Sequence, residues 1–123
     1  GRPSRWVRVK TSPYMITFNV AGTNAERFGK VSASLGVMAR KGAIFREDFA
    51  MLHSHVGLYM PKIKAIMTDV LRSKFIDEFG PETIGGVQKE IANRLNEEVF
   101  AKLFPGGKKF YVSEVLFPTL FLQ

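Results

Sequence analysis

The sequence predicts an α+β domain in which an antiparallel sheet of three to four strands packs against two helices. Apolar residues alternate with polar ones through residues 14–39, and a period of two residues is that of a strand with one buried face. They then recur every three or four residues between positions 49 and 103, which is the helical period. The chain ends on residues 110–123, an apolar run rich in aromatic and β-branched residues that favours a last strand.

A length of 123 residues, with 46% hydrophobic and 24% charged residues, is that of one globular domain. We expect a basic extended arm or linker at residues 1–12 and the folded domain at residues 13–123. Because Gly1 is not a methionine, part of the first four residues is expected to be a processing or cloning remnant. Four of the 18 basic residues precede Glu26, the first of 11 acidic ones, and without these four the net charge falls from +7 to +3. The four are Arg2, Arg5, Arg8 and Lys10, so the excess charge belongs to the arm.

The first two strands are predicted to form a hairpin. One face of the first strand carries Tyr14, Ile16, Phe18 and Val20. The turn at residues 21–26 contains Gly22 and Asn24, which tolerate a positive φ. One face of the second strand carries Val31, Ala33, Leu35, Val37 and Ala39. Strands joined by a short polar turn pair antiparallel, and residues 6–9 of the arm supply a fourth strand if they pair with this sheet.

The helical period predicts two amphipathic helices. The apolar stripe of the first helix comprises Phe49, Leu52, Val56, Tyr59, Ile63, Ile66, Met67, Val70 and Leu71. Asp48 is its expected N-terminal cap. Pro61 is expected to kink or split this helix near Tyr59, because proline lacks an N–H and its ring clashes with the preceding turn. After a link at residues 75–86, the stripe of the second helix comprises Ile84, Val87, Ile91, Leu95, Val99 and Leu103.

The terminal apolar run is too short to span a bilayer, which takes roughly 20 residues of helix. Both faces of residues 112–117 are apolar, as expected for a strand covered on both sides or central in its sheet. Pro118 cannot donate a ladder hydrogen bond, so it marks a bulge, an edge or a bend. We expect the core to include Ile16, Phe18, Leu35, Val37, Ile63, Val70, Ile91, Leu95, Val115 and Phe117.

Few residues could support catalysis or bind a metal. The chain has no cysteine, which excludes disulfides and thiolate chemistry. His53 and His55 are the only histidines. In a helix they point about 200° apart and cannot chelate one ion, although in an extended segment they could. The adjacent acids at residues 77–78 and 97–98 diverge instead of facing each other. We therefore expect no catalytic, cofactor-binding or metal residues, with a hydrolase centred on either histidine as an alternative.

Three stretches together resemble one family, the periplasmic domain of the flagellar basal-body-associated protein FliL. FNVAGTNAERFGKVSASLGV at residues 18–37 resembles the family's FNV-x-G strand, turn and long second strand. MPKI at residues 60–63 resembles its LP-x-I helix. VSEVLFPTLFLQ at residues 112–123 resembles its terminal V-x-x-V-L-F-T-x-F-V-x-Q, except that Pro118 replaces a threonine-like residue. The resemblance covers about residues 12–123.

The resemblance implies a stomatin/prohibitin (SPFH)-like fold and a role without enzymatic activity or cofactor. It implies a flagellar motor accessory protein at the basal body, where copies assemble into a ring around the MotA/MotB-type stator. There they would stabilise the active state of the stator and support torque and swarming. It further implies a single-pass protein of the inner membrane, with a transmembrane helix preceding Gly1 and this domain in the periplasm.

The candidate interaction surface consists of Phe45, Phe49, Leu58 and Phe79, which lie outside or at the edges of the clean core stripes. Local packing within the fold is the alternative role for all four. A rival function is a basic nucleic-acid-binding module that uses the arm with Trp6, and steep salt dependence would identify it. We expect no nucleic-acid partner, because the folded part carries little excess charge.

Overall fold

The computed structural model describes residues 5–7, 13–39, 45–103 and 110–123, with the side chains of residues 5–7, 45, 46 and 49 outside the description. It confirms the α+β class: an antiparallel sheet three strands wide packs one face against three helices. The sequence predicted two helices, and the third arises because the first is divided ahead of Pro61.

Every described strand pairs with one long central strand. The strands are β1 (Arg5–Val7), β2 (Tyr14–Asn19), β3 (Phe28–Ala39) and β4 (Phe110–Leu122). Strand β4 pairs with one edge of β3 along almost its whole length. Strands β1 and β2 follow each other along the opposite edge, so that β1 extends the sheet with part of the arm. The sheet therefore contains four strands but is three strands wide.

The turn between β2 and β3 adopts the left-handed backbone that its residues were expected to tolerate. Gly22 has a φ of 77° and Asn24 a φ of 54°, and Ala25, which the sequence did not single out, has a φ of 60°. The Val20 N–H donates to the Arg27 carbonyl at 3.0 Å and closes the hairpin. Directly after the turn, Gly29 lies beneath the Phe18 ring, and a Cβ at Gly29 would overlap that ring.

Strand β4 contains two bulges, and they explain its apolar sequence. Gly36 pairs with Glu114 but Val37 with Val112, which leaves Ser113 as an extra residue. A second extra residue falls at residues 117–118, so Pro118 lies at a bulge, one of the three roles expected for it. Each bulge shifts the alternation by one residue. The inward-facing residues are therefore Phe110, Val112, Val115, Phe117, Leu120 and Leu122.

This arrangement corrects the expectation that β4 is covered on both faces or central in its sheet. The central strand is β3, and in the described part of the chain β4 pairs with β3 alone. Apolar residues occur at both odd and even positions of β4, because each bulge changes which of the two sets faces the helices. Leu116 and Phe121 point away from the helices and are exposed.

The helices follow the predicted apolar stripes with two differences. The first stripe is split into α1 (Phe45–Leu58) and α2 (Met60–Arg72), with Pro61 in the first turn of α2, where its missing N–H breaks no helical bond. After a 3₁₀ turn at Ile76–Phe79, α3 runs over Ile84–Leu95 and continues through a π turn, Asn96–Phe100, to Ala101–Leu103. Asp48 was wrongly predicted as the N-terminal cap, since α1 begins three residues earlier and Asp48 is buried inside its first turn.

The side chain of Asn96 joins the π turn to β4. Its amide nitrogen donates to the Val112 carbonyl at 2.9 Å, and its amide oxygen accepts from the Val112 N–H at 2.7 Å. The amide thus acts as a neighbouring strand would, and it satisfies one backbone N–H and one C=O on the outer edge of β4 beside the first bulge. Asn96 therefore links the helical layer to the last strand.

The core lies between the helices and the inner face of the sheet. Eight of the ten predicted core residues are buried: Ile16, Phe18, Val37, Ile63, Val70, Ile91, Leu95 and Val115. Leu35 and Phe117 are partly buried and pack against this cluster. The predicted core is confirmed, with these two at its margin.

Replacement of Gly29 by alanine should destabilise the fold by about 1–3 kcal/mol, because the added methyl group would overlap the Phe18 ring. Chemical denaturation measures the free energy of unfolding. The matched control is Gly57→Ala, since a Cβ at Gly57 meets no atom within 4 Å. Alanine in this last turn of α1 should be neutral or should stabilise by up to about 1 kcal/mol. Equal effects of the two substitutions would contradict the packing of Phe18 on Gly29.

Replacement of Asn96 by leucine should lower the free energy of unfolding by about 2 kcal/mol, because Val112 loses both partners. Asn93→Leu, the same change at an exposed position of α3, should stay within about 0.5 kcal/mol of the parent. A change at Asn96 no larger than that at Asn93 would show that the amide does not hold β4.

Candidate interaction surface

The described residues contain no candidate metal centre. No group of three or more histidine, cysteine, aspartate or glutamate side chains in the described ranges is placed to hold a metal ion. His53 and His55 both lie in α1, two residues apart, so their rings diverge. The Nδ1 atom of His55 lies 2.8 Å from the Met51 carbonyl oxygen, which accepts a hydrogen bond within the helix. The histidines are thus placed as helix-surface residues and not as a pair.

The structure does not bring together the four residues that were predicted to form an interaction surface. Phe79 is only 7% exposed, and its ring stacks on Phe18 with centroids 5.3 Å apart. It therefore belongs to the core, because the 3₁₀ turn at Ile76–Phe79 directs it inward, and we remove it from the surface. The side chains of Phe45 and Phe49 lie outside the described residues. Leu58, at the end of α1, is 72% exposed.

Leu58 is one of several exposed apolar residues at the junction of α1 and α2 or within two turns of it, which we call the junction patch. Its other exposed members are Met51, Tyr59 and Met60. The Tyr59 N–H still donates to the His55 carbonyl at 2.9 Å, and the Ile63 N–H donates to the Tyr59 carbonyl at 2.9 Å, so the chain passes between the helices without a loop. Tyr59 was assigned to the buried stripe, but the break ahead of Pro61 rotates it outward.

The sequence could have indicated this patch through one signal. Met51 and Met60 are large apolar residues that lie off the apolar stripe of their helices, as does Leu58. Three such residues on the helices that flank a helix-splitting proline indicate exposed apolar side chains around the junction.

A second apolar surface covers the side of the sheet that faces away from the helices, which we call the open face. It carries Met15, Thr17, Phe28, Lys30, Thr119 and Phe121 around a shallow hollow of about 630 Å³. Phe121 is 62% exposed and Met15 51% exposed. The sequence missed this surface because its C-terminal members were expected to be covered.

The contact between α2 and α3 is bordered by a surface ion cluster centred on Arg94. Its guanidinium lies 2.6 Å from an Asp69 carboxylate oxygen and 2.7 Å from a Glu98 carboxylate oxygen. Hydrogen bonds from Arg94 hold the pKa of both carboxyls below their ordinary values of 3.8 and 4.5. Both carboxylates are therefore ionised at neutral pH and serve as partners of the arginine, not as proton donors. Burial raises the pKa of Tyr14, so this phenol also stays neutral.

The Arg94 cluster should stabilise the fold only at a pH where its carboxylates are charged. Because the folded-state pKa values are lowered, this stability is present above the ordinary values and is lost as the pH falls through the folded-state values. The stability difference between the parent and Arg94→Met should thus be present at pH 6 and shrink as the pH falls below about 4. Urea denaturation across this range measures it, with Lys89→Met as the control. A difference independent of pH would exclude the ion cluster as its cause.

Comparison with known proteins gives the family. The family model described as "Flagellar basal body-associated protein FliL" matches residues 11–123. Among individual curated proteins, the comparison finds no significant match. The family is a structural flagellar one without known catalysis. In the described ranges, no helix combines the length and apolar character needed to cross a bilayer. Since the match spans almost the whole sequence, the chain belongs to the FliL family of flagellar basal body-associated proteins.

Proposed function

We propose that this domain is a non-enzymatic accessory of the flagellar motor that self-associates around the stator and stabilises its active state, thereby supporting torque and swarming. The observation that carries the proposal is the family match over residues 11–123. Two exposed apolar surfaces on the described part of the domain support a role in protein contacts. A binding role needs no catalytic group, since its effect arises from where and how tightly the domain binds.

The proposed mechanism is a shift of the stator between two states. A binding protein shifts such an equilibrium only by the difference between its affinities for the two states. To move a population from 1:99 to 99:1 takes a difference of about 10⁴ in affinity, or roughly 5.5 kcal/mol. When several copies contact one stator their preferences add, so each domain supplies only a fraction of this free energy.

The proposal places the domain on the periplasmic side of the inner membrane, tethered by a transmembrane helix that precedes Gly1. Tethering confines the copies and the stator to one surface and raises their effective concentration. Contacts that are weak between free domains are then sufficient. Small exposed patches, such as those on the described part of this domain, are what such contacts require.

Of the two exposed surfaces, we assign the junction patch to the stator contact. Leu58 and Met60 stand at the end of one helix and the start of the next, where the backbone is held by helical hydrogen bonds on both sides. Because its backbone is already ordered, the junction patch loses little conformational freedom on binding. The MotA/MotB-type stator is its proposed partner, and Phe45 and Phe49 of α1 remain part of the proposed contact.

Replacement of Leu58 by lysine should weaken recruitment of the stator about tenfold, the effect of losing about 1.4 kcal/mol of binding free energy. The folded state should be unaffected, because Leu58 is exposed. The measurement is co-localisation of labelled stators with the variant, together with the swarming rate, in cells that carry it as the only copy.

Asn93→Lys provides the matched control, since it adds the same charge at an exposed position of α3. Normal stator recruitment by Leu58→Lys at wild-type abundance would exclude the junction patch. Failure of the unmodified protein to co-localise with the stator would refute the proposed function itself.

A further inference from the structure

In the described part of the chain no helix covers the open face, and one positive charge lies at its centre. Lys30 lies in the middle strand, between Thr17 of β2 and Phe121 of β4 in the pairing register. Lys30 forms no ion pair within the described part of the chain. Met15, Phe28 and Phe121 expose apolar area around it. The partner that this surface fits therefore presents apolar side chains next to a single carboxylate.

The chain itself carries such a group at residues 75–77, which we call the acidic knob. Phe75 is 55% exposed, Ile76 is also exposed, and the Asp77 side chain is exposed beside them. Like Lys30, Asp77 takes part in no ion pair among the described residues. The knob thus offers two apolar side chains and the unpaired Asp77 carboxylate, with the Glu78 carboxylate beside them bound by the Phe75 N–H. These groups complement an apolar surface that carries one unpaired ammonium group.

The acidic knob is held rigidly. The Phe75 N–H donates to a Glu78 carboxylate oxygen at 2.8 Å, and the Glu78 N–H donates to the Phe75 carbonyl at 3.0 Å. The Thr83 hydroxyl donates to the Asp77 carbonyl at 2.8 Å. The Phe75 ring also lies against Gly22, where a Cβ would approach it to 2.8 Å. Binding through the knob would therefore order few additional groups.

The acidic knob and the open face lie on opposite sides of the sheet. Phe79, from the same 3₁₀ turn as Ile76, stacks on Phe18, which points toward the helices. Met15 and Thr17, at the alternate positions of β2, point the other way. A chain therefore cannot dock its own knob on its own open face, and the complement of each surface must come from another molecule.

We propose that the acidic knob of one copy docks on the open face of the next, with Asp77 of one molecule paired to Lys30 of the other. This inference rests on the self-association in the proposed function and names the two surfaces through which neighbouring copies would contact each other. Because two different surfaces meet, the contact is head to tail, and each added copy presents a free knob and a free open face. Such a series closes into a ring if the rotation between neighbours permits it.

The proposed pair can be tested by reversing the charge of Lys30 in one variant and of Asp77 in another. Lys30→Glu places a carboxylate opposite Asp77, and Asp77→Lys places an ammonium group opposite Lys30. Each variant alone should self-associate about tenfold less, because like charges meet in the contact. Mixing the two variants should restore association, since every contact in an alternating series then joins opposite charges. Lys89→Glu and Glu97→Lys are the charge-matched controls at exposed positions of α3 and its π turn.

Association is read by disulfide cross-linking, since residues 1–123 contain no cysteine that would compete with the introduced ones. One copy carries Thr17→Cys on the open face and the other carries Ile76→Cys on the acidic knob, both in the membrane-anchored protein. The expected product is the mixed dimer. Its yield should fall with either charge reversal alone and recover when the two charge-reversed variants are mixed. Unchanged thermal unfolding of Lys30→Glu and Asp77→Lys excludes misfolding as the cause of a loss.

Three results would overturn the contact. They are association that ignores both charge changes, cross-links that form between two Thr17→Cys copies in place of mixed ones, and capture of a different protein by the open face alone. If the copies still self-associate through another surface, each of these results refutes this contact but not the proposed function. Absence of any association between anchored copies would refute the inference and the proposed function together, and normal stator co-localisation would then show that a single copy acts alone.

Discussion

The antiparallel ladder between β3 and β4 is the constraint on which the rest of the structure depends. It joins residues 28–39 to the last strand of the chain, and all the described helices lie in the segment between them. Closing so long a segment is entropically unfavourable until the apolar groups within it are buried. Strand formation and helix packing are therefore interdependent, since the helices cover the inner face of the ladder. Asn96 fixes this relation where the π turn meets Val112.

At the two bulges of β4, side-chain hydrogen bonds hold the strand to β3 beneath the helices. At the first, the Ser113 hydroxyl donates to the Gly36 carbonyl at 3.2 Å, and at the second, the Thr119 N–H donates to the Ser32 hydroxyl at 3.1 Å. Side chains thus replace ladder bonds that the extra residues disrupt. The result is a strand that keeps aromatic residues under the helices while it exposes Leu116 and Phe121 on the other side.

Several charged groups of the described domain are paired with each other, whereas a number of its large apolar side chains are exposed. Arg94 is neutralised by two carboxylates, and Lys74 lies 3.0 Å from a Glu90 carboxylate oxygen across the link to α3. The apolar side chains of the junction patch and the open face are exposed to solvent instead. A family without known catalysis and a domain with exposed apolar surfaces are both consistent with the proposed binding role. Two surfaces would allow one copy to contact a neighbouring copy and a stator at the same time.

The sequence by itself determined the class of fold, most of the core, the family and the division of the first helix at Pro61. These follow from periodicity and from the missing N–H of proline, which are local properties. Only the tertiary structure decided that Phe79 turns inward onto Phe18, that Tyr59 turns outward, and that β4 leaves one face open. A side chain at the end of an element is buried only if another element reaches it. The two bulges depend on the pairing of β4 with β3, so no pattern within β4 reports where its inward face changes.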